Sequence, residues 1–488
     1  MRLDRFKRLV KHFQRHSSEA DKLPLKSKMG TRLYRAAHVA PVRSTRLRGG
    51  GLGSDRSIED LLPLGGVEEV YDTDDEVNPS QFLEEEWIGC GRSWNISMPG
   101  FVKRQRNTAR IIPPEVAAAV ILPISSSVAD LLAQPDPNTH VSAASSPSYS
   151  TTLSNLIIDV HDPIGFSTFL SLVFSCIAHH TRLRDTFNDA WLSGSRSITL
   201  SLHSVPLWTE RLVADLRSYT IIYNRWSDAS RWLSGLPRTT RRMRDLIEDC
   251  ESIMEAIPYE GTVPGLSEAT VLSTHDLSLF LSNEWINDEM INTGSQYILH
   301  QLGARNRRRI VNCLLVGSLK TQFSRSERYQ PRHTSSLDHL ISAGSLDKLL
   351  FPPHISGNHW TLLEIDLLAQ TYSYADSLSA KARPPSSTLR VLEWWINQLS
   401  DVPTTPPPML KCITPKFAIP HQRDSFSCGV VVLSTMANYL LNYTPWTTET
   451  YAEERMEWFI RISEYFGDMN GGSDVDDDTV SFRSLPSL

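Results

Sequence analysis

The sequence predicts an α+β domain over residues 258–466. It lies behind a helical region of unassigned role (157–257) and a mostly disordered N-terminal stretch (1–156), and an acidic disordered tail (467–488) follows it. Three observations carry this reading. From about residue 258, short β-type apolar runs alternate with helical stretches, the pattern of a mixed sheet with helices packed on it. Before that point Leu212, Leu216, Tyr219 and Tyr223 recur at helical spacing. Earlier still, residues 1–50 hold fourteen Lys/Arg against three Asp/Glu, and residues 55–87 hold twelve Asp/Glu against one Arg. Adjacent blocks of like charge rarely build a packed core.

Taken in order, the basic arm Arg2–Arg48 reads as a solvated tail, a weak nucleic-acid contact, a nuclear-import signal or a presequence. Residues 123–155 are rich in Ser, Pro, Ala and Thr and read as a linker. Pro206 and Pro237 bracket one helix, and a second runs from Arg238 to Ile257 with a basic start and an acidic end, an order that opposes the helix dipole. In the C-terminal half Val311–Val316, Trp360–Ile365 and Thr371–Tyr374 read as strands, and Trp285–Leu302, Thr388–Leu399 and Gly429–Leu441 as helices. Residues 317–348, Ser-rich around Gln330–Ser336, and the stretch Pro403–Pro408 read as inserted loops.

Composition excludes several classes. A net charge of −6 and a pI near 6.2 over 488 residues exclude a polycation built for nucleic acid. The six cysteines are scattered with no CxxC pair, so neither a cysteine zinc site nor a disulfide framework is expected, and a reducing compartment is. The N-terminus lacks the apolar core of a secretory signal. The most apolar stretch, Ile164–Ala178, is shorter than the ~20 residues of a membrane span and reads as a buried helix, so no membrane contact is expected.

Residues 359–428 supply every group that a cysteine nucleophile needs: a thiolate, a base, a group that orients the base, and donors for an oxyanion. Cys428 precedes Gly429 and the apolar run Val430–Leu433, so it stands at the start of a buried helix, where the dipole favours a thiolate. His359 opens a strand after Gly357-Asn358, and Asp376 closes the next one. The hairpin-length connection Leu367–Gln370 brings their ends to the same sheet edge. Gln422, six residues before Cys428, can donate to an oxyanion together with the Cys428 N–H. Each residue taken singly also fits a structural role: a core thiol, a strand histidine, a turn aspartate, a loop glutamine. His421 is a rival base by position, and reads as a loop residue.

Taken together, His359-Trp360, Asp376-Ser377-Leu378, and Gln422 followed six residues on by Cys428-Gly429 resemble the SUMO-specific (ubiquitin-like-protein) cysteine protease family. Asn283–Asn292, with Trp285-Ile286-Asn287-Asp288, is similar to that family's entrance motif. The resemblance covers about 258–466. It implies a papain-like fold of the SUMO-protease/adenain type, with a central mixed sheet and flanking helices. It also implies a Cys428–His359–Asp376 triad with Gln422 as oxyanion donor, and no metal or cofactor. By the same resemblance Trp285 and Trp360 clamp the Gly-Gly tail of the substrate, and Asp288 pairs with a substrate arginine. The implied reaction is hydrolysis after the C-terminal Gly-Gly of a ubiquitin-like protein, SUMO first among them, in deconjugation or precursor processing. The implied location is the nucleus, with the cytoplasm as alternative. The sequence departs from the family before the cysteine, where Asp424-Ser425-Phe426-Ser427 replaces Asn-Gly and a directly preceding Asp.

Two alternatives follow from the parts left unmatched. One is the same chemistry on another ubiquitin-like or unrelated protein, as in a mobile-element homologue. The other is a catalytically silent nucleic-acid-binding or scaffold protein, motivated by Arg2–Arg48, Arg238–Arg244 and Arg305–Arg309. Val67–Asp75 and Val120–Ile124 are candidate strands for docking a ubiquitin-like partner.

Overall fold

The structure, a computed structural model, describes residues 106–137, 148–150, 158–200, 202–263, 272–303, 306–325, 329–331, 334–355, 357–399 and 409–471. The basic and acidic blocks, Val67–Asp75 and Pro403–Pro408 lie outside the described residues, as does the tail beyond 471.

The first helices are α1 (Pro114–Val120) and α2 (Val128–Leu132). Composition predicted a linker over 123–155, but α2 is a capped helix within it. The Ser127 hydroxyl accepts from the Asp130 N–H, and the Asp130 carboxylate accepts from the Ser127 N–H. Val128 and Leu131 are fully buried. Val120–Ile124 is likewise built in: the Ile121 N–H closes α1, and the Leu122 carbonyl accepts from the Tyr259 hydroxyl at 2.7 Å. Its backbone is therefore committed to this fold, which corrects the strand-docking expectation there.

Strand β1 (Ser148–Ser150) pairs antiparallel with β2 (Ser197–Leu200), which pairs with β3 (His203–Pro206). Helices α3 (Pro163–Ser175) and α4 (His180–Leu192) pack with this small sheet on the first half of α5 (Thr209–Gly235). Phe169, Phe187, Ile198, Leu212 and Leu216 make that core. At 27 residues α5 is about 40 Å long, and its second half enters a different core. Tyr219, Trp226 and Leu233 join Ile247, Cys250 and Met254 of α6 (Arg241–Ala256) in the cluster that contains Cys428. The unfavourable charge order of α6 is offset locally. Thr240 caps its first turn, and Arg242 pairs with Glu453 and Glu457.

After the short pair β4 (Thr262–Val263) and β5 (Leu272–Ser273) comes a 3-10 segment, Thr274–Leu281, and then α7 (Asp288–Leu302), capped by the Asn287 side chain. Strand β6 (Arg308–Ile310) is followed by α8 (Leu315–Arg325) and α9 (Ser335–Ser342). Two sequence expectations fail here. Val311–Val316 is not a strand, because the Asn312 side chain and carbonyl accept from the Leu314 and Leu315 N–H groups and turn the chain into α8. The Ser-rich 317–348 carries most of α8 and all of α9, tied down where the Asp338 carboxylate accepts from Tyr329, Thr334 and Trp395.

The main sheet adds β7 (Lys348–Phe351), β10 (Leu362–Asp366), β11 (Thr371–Ala375) and β12 (Lys411–Cys412), after the short pair β8 (His354–Ile355) and β9 (His359–Trp360). The strand order is β12-β11-β10-β7-β6, antiparallel at its centre and parallel at both edges. Alternation decides the two faces. Leu363, Ile365, Tyr372 and Tyr374 meet α8 and α10 (Ser386–Gln398), with Trp394 and Trp395. Leu350, Leu362 and Ala375 face the cluster built around α11 (Cys428–Leu441). The sheet is thus sandwiched between helices in an α+β arrangement.

Every residue of α11 from Cys428 to Ala437 is buried, as the apolar run Val430–Leu433 requires. Helix α7 approaches it at Gly294, where an added Cβ would lie 2.8 Å from Leu433. The last helix, α12 (Tyr451–Gly471), closes the core with Met456, Trp458 and Phe459. Trp226 of α5 sets its ring edge-on to Phe459 and donates to the Tyr259 carbonyl.

Candidate active site

The β10–β11 hairpin accomplishes what its length predicted. Leu362 pairs with Ala375, so Asp376 emerges beside the His359-Trp360 strand. His359 Nε2 donates to Asp376 Oδ1 at 2.8 Å. Both side chains are about nine-tenths buried, which keeps this bond from competing with water. Asp376 Oδ1 also accepts from the Leu378 N–H at 2.8 Å, fixing the carboxylate. With Nε2 occupied, Nδ1 is the ring nitrogen left to face the Cys428 thiol. A hydrogen bond to that thiol is the largest cause raising the His359 pKa above its ordinary value. Burial opposes it, and the hydrogen bond and charge of Asp376 add to it. A charged imidazole between a thiol and a carboxylate is the arrangement that generates a thiolate–imidazolium pair.

Cys428 is the first residue of α11, and no side chain caps that helix. Its leading N–H groups therefore have no intrahelical partner and present the positive end of the helix to whatever binds there. Gly429 is required by close approach rather than by backbone angle. A Cβ there would lie 2.4 Å from Ile286 Cγ1 and 3.1 Å from Trp360 Cδ1. The helix start is thus wedged against both segments that carry the tryptophans.

Gln422 is almost fully buried. Its Oε1 accepts from the Ser377 hydroxyl at 2.5 Å, its backbone N–H donates to the Ser377 carbonyl, and its Nε2 donates to the Asp424 carbonyl at 2.9 Å. An amide nitrogen carries two hydrogens, so one donor remains. Asp424 holds the loop that follows: its Oδ1 accepts from the Phe426 and Ser427 N–H groups at 2.9 and 2.7 Å. The acid absent at position 427 thus has a counterpart three residues earlier that folds the loop leading to Cys428. His421 is exposed and belongs to no such network among the described residues.

The two tryptophans differ. Trp360 is buried, donates to the Ile286 carbonyl at 3.2 Å and lies against the His354 ring at 4.4 Å between centroids. Trp285 is 49% exposed and donates to the Ser425 carbonyl, so its indole bridges the Asn283–Asn292 segment and the loop leading to Cys428. Asp288 occupies the first turn of α7 beside Glu289, whose carboxyl is pushed up to about 7 by burial and by Asp288.

The structure therefore brings Cys428, His359, Asp376, Gln422 and Trp360 to one place, with Trp285 at its rim. Sequence reasoning missed Ser377, Asp424, Ile286 and His354 as supports. Ser377 was legible only as part of the Asp376-Ser377-Leu378 pattern, and the other three act on backbone N–H groups, at a glycine or on a neighbouring ring, partners that residue type does not announce.

The model of the Ulp1 protease family, C-terminal catalytic domain, matches residues 284–467. This segment is a Ulp1-family catalytic domain. The chain accordingly carries a cysteine protease, and the family match spans the Cys428 loop, the His359–Asp376 hairpin and nearly all of the Asn283–Asn292 segment. Among solved structures, the C-terminal Ulp1 protease domain in complex with Smt3, the yeast ortholog of SUMO, is 18% identical, with 47% of this chain and 97% of that chain covered and a TM-score of 0.36. The Ulp1-like SUMO protease catalytic domain of Chaetomium thermophilum is also 18% identical, with 44% and 87% covered and a TM-score of 0.34. No curated protein sequence matches the chain.

Proposed function

We propose that this Ulp1-family domain hydrolyses the bond after the C-terminal Gly-Gly of a ubiquitin-like protein, SUMO in particular, with Cys428 as nucleophile. The observation that carries the proposal is the buried His359 Nε2–Asp376 Oδ1 bond at 2.8 Å, with the Cys428 thiol on the other side of the ring. His359 takes the thiol proton, and the thiolate adds to the carbonyl carbon of the scissile bond. The oxyanion is met by the Cys428 N–H and the remaining Gln422 Nε2–H. His359 then gives its proton to the departing amine, leaving a thioester on Cys428. Water, deprotonated by His359, adds to that thioester; its collapse returns the thiol and releases the carboxylate.

Trp285 and Trp360 bracket the approach to Cys428, and glycine is the residue thin enough to pass between indoles. Asp288 at the start of α7 offers a carboxylate to a basic side chain of the substrate. The test is cleavage of SUMO and ubiquitin carrying a C-terminal reporter, each with Gly-Gly or Ala-Ala before the scissile bond. Cleavage of SUMO-Gly-Gly alone is expected. Cleavage of ubiquitin with SUMO left intact replaces the substrate, and indifference to the Ala-Ala change overturns the tunnel.

A further inference from the structure

Arg455 lies in the first turns of α12 and is fully buried. Its Nη2 donates to two carbonyls of the entrance segment, Leu279 at 3.0 Å and Glu284. Its guanidinium lies over the Phe426 ring, 5.6 Å from the centroid, and Phe426 is two residues from Cys428. The same side chain thus grips the segment leading to Trp285 and the loop leading to the nucleophile. Among the described residues its Nε and Nη1 have no hydrogen-bond partner, and the charge that most offsets its burial is Asp424.

This is an expensive way to join two loops. A buried cation that no carboxylate hydrogen-bonds costs more than two carbonyl hydrogen bonds return. A neutral donor reaching the same carbonyls would avoid that cost. Asp424 offsets this cost in part, and the further anion that forms nearby during the reaction is the Cys428 thiolate.

Resting on the reading of Cys428 as nucleophile, we infer that Arg455 is a positioning residue of the active centre: it locks the entrance segment to the nucleophile loop and holds a buried positive charge beside that loop, favouring the thiolate. Burial lowers the Arg455 pKa to about 10, so it stays cationic at neutral pH. The groups that oppose this lowering are Asp424, Tyr451, Cys428 and Glu284. Cys428 in turn faces His359, with Asp376 beyond it.

The test is the pH dependence of Cys428 labelling by iodoacetamide in the full-length protein, followed by peptide mass spectrometry from pH 4 to 9. The acid limb reports formation of the Cys428–His359 ion pair. Arg455→Met should move that limb up by about one pH unit, the order expected for one buried charge at an effective dielectric of about 20, so that labelling on the limb slows ~10-fold. Arg455→Lys, which keeps the charge, should leave the limb within ~0.3 unit, and Asp424→Asn, which removes the opposing charge but keeps an acceptor for the loop, should move it down.

A limb unmoved in Arg455→Met, with labelling slowed equally at every pH, would show a structural tie only and overturn the inference. So would Arg455→Lys shifting as far as Arg455→Met. If Arg455→Met does not fold, Arg455→Gln, which keeps a donor for the carbonyls and removes the charge, is compared with Arg455→Lys, and equal limbs in the two overturn it. A distinct failure, wild-type Cys428 labelled no faster than the exposed Cys412, removes Cys428 as nucleophile and this inference with it.

Discussion

Replacing Asp376 by Asn separates geometry from charge at the centre of the site. The side chain keeps its size and an oxygen for the Leu378 N–H, while the negative charge 2.8 Å from His359 Nε2 is lost. A hydrogen bond to a charged group contributes about 1.5–3 kcal/mol, which is ~10- to ~150-fold in rate. This pair is about nine-tenths buried, so solvent screening removes little of that value. If the amide also turns its NH2 toward the ring, the imidazole is held in the wrong tautomer, a change that costs up to ~10^4 in the serine-protease triad. Asp376→Asn should therefore lower kcat/KM by ~10- to ~10^4-fold, with Tm close to wild type. The pH profile should shift as well. Asp376 helps raise the His359 pKa, so its loss brings the basic limb down. A stopped-time assay on a SUMO reporter, with thermal denaturation in parallel, measures both. A rate within ~3-fold of wild type and an unchanged basic limb would remove Asp376 from the mechanism.

Gln422→Ala should cost kcat ~10^2- to ~10^3-fold if its free N–H meets the oxyanion, and single-turnover rates will show whether acylation carries the loss. Gly429→Ala drives a Cβ to 2.4 Å from Ile286 and should lower stability by about 1–3 kcal/mol while displacing Trp360; urea denaturation and activity should fall together. Trp226→Ala, on α5 and outside the family match, empties a fully buried site in the core shared with Cys428. It should cost about 3–5 kcal/mol, and a domain that unfolds at the wild-type denaturant midpoint would contradict the shared core. The raised His359 pKa carries its own linkage. Its stabilising contribution is fully present below the unfolded-state pKa, about 6.5, and is lost as pH rises through the folded value. In His359→Ala this part of the pH dependence of Tm should disappear.

The central geometry was legible because local rules fix it. A short connection between two β-type runs must bring residues 359 and 376 to one edge, and an apolar run after Cys428-Gly429 must be a buried helix. What composition hid was structure made by single side chains. The linker-like 123–155 contains α2 because Ser127 and Asp130 cap each other and Val128 and Leu131 find a core. The Ser-rich 317–348 folds because Asp338 collects three donors. Helices α5 and α6 looked separable from the protease. Their apolar faces, seen in Trp226 and Met254, pack into the cluster of Cys428, and no periodicity within a helix says which partner its face will meet. Arg455 was invisible for the same reason: the carbonyls it holds, Leu279 and Glu284, lie more than 170 positions earlier.

The most direct measurement is covalent trapping with SUMO carrying a thiol-reactive group in place of its C-terminal carboxylate. Wild-type protein should form a single adduct that peptide mass spectrometry places on Cys428, and Cys428→Ala should form none. An adduct that persists in Cys428→Ala, or one on Cys412, would contradict Cys428 as the nucleophile.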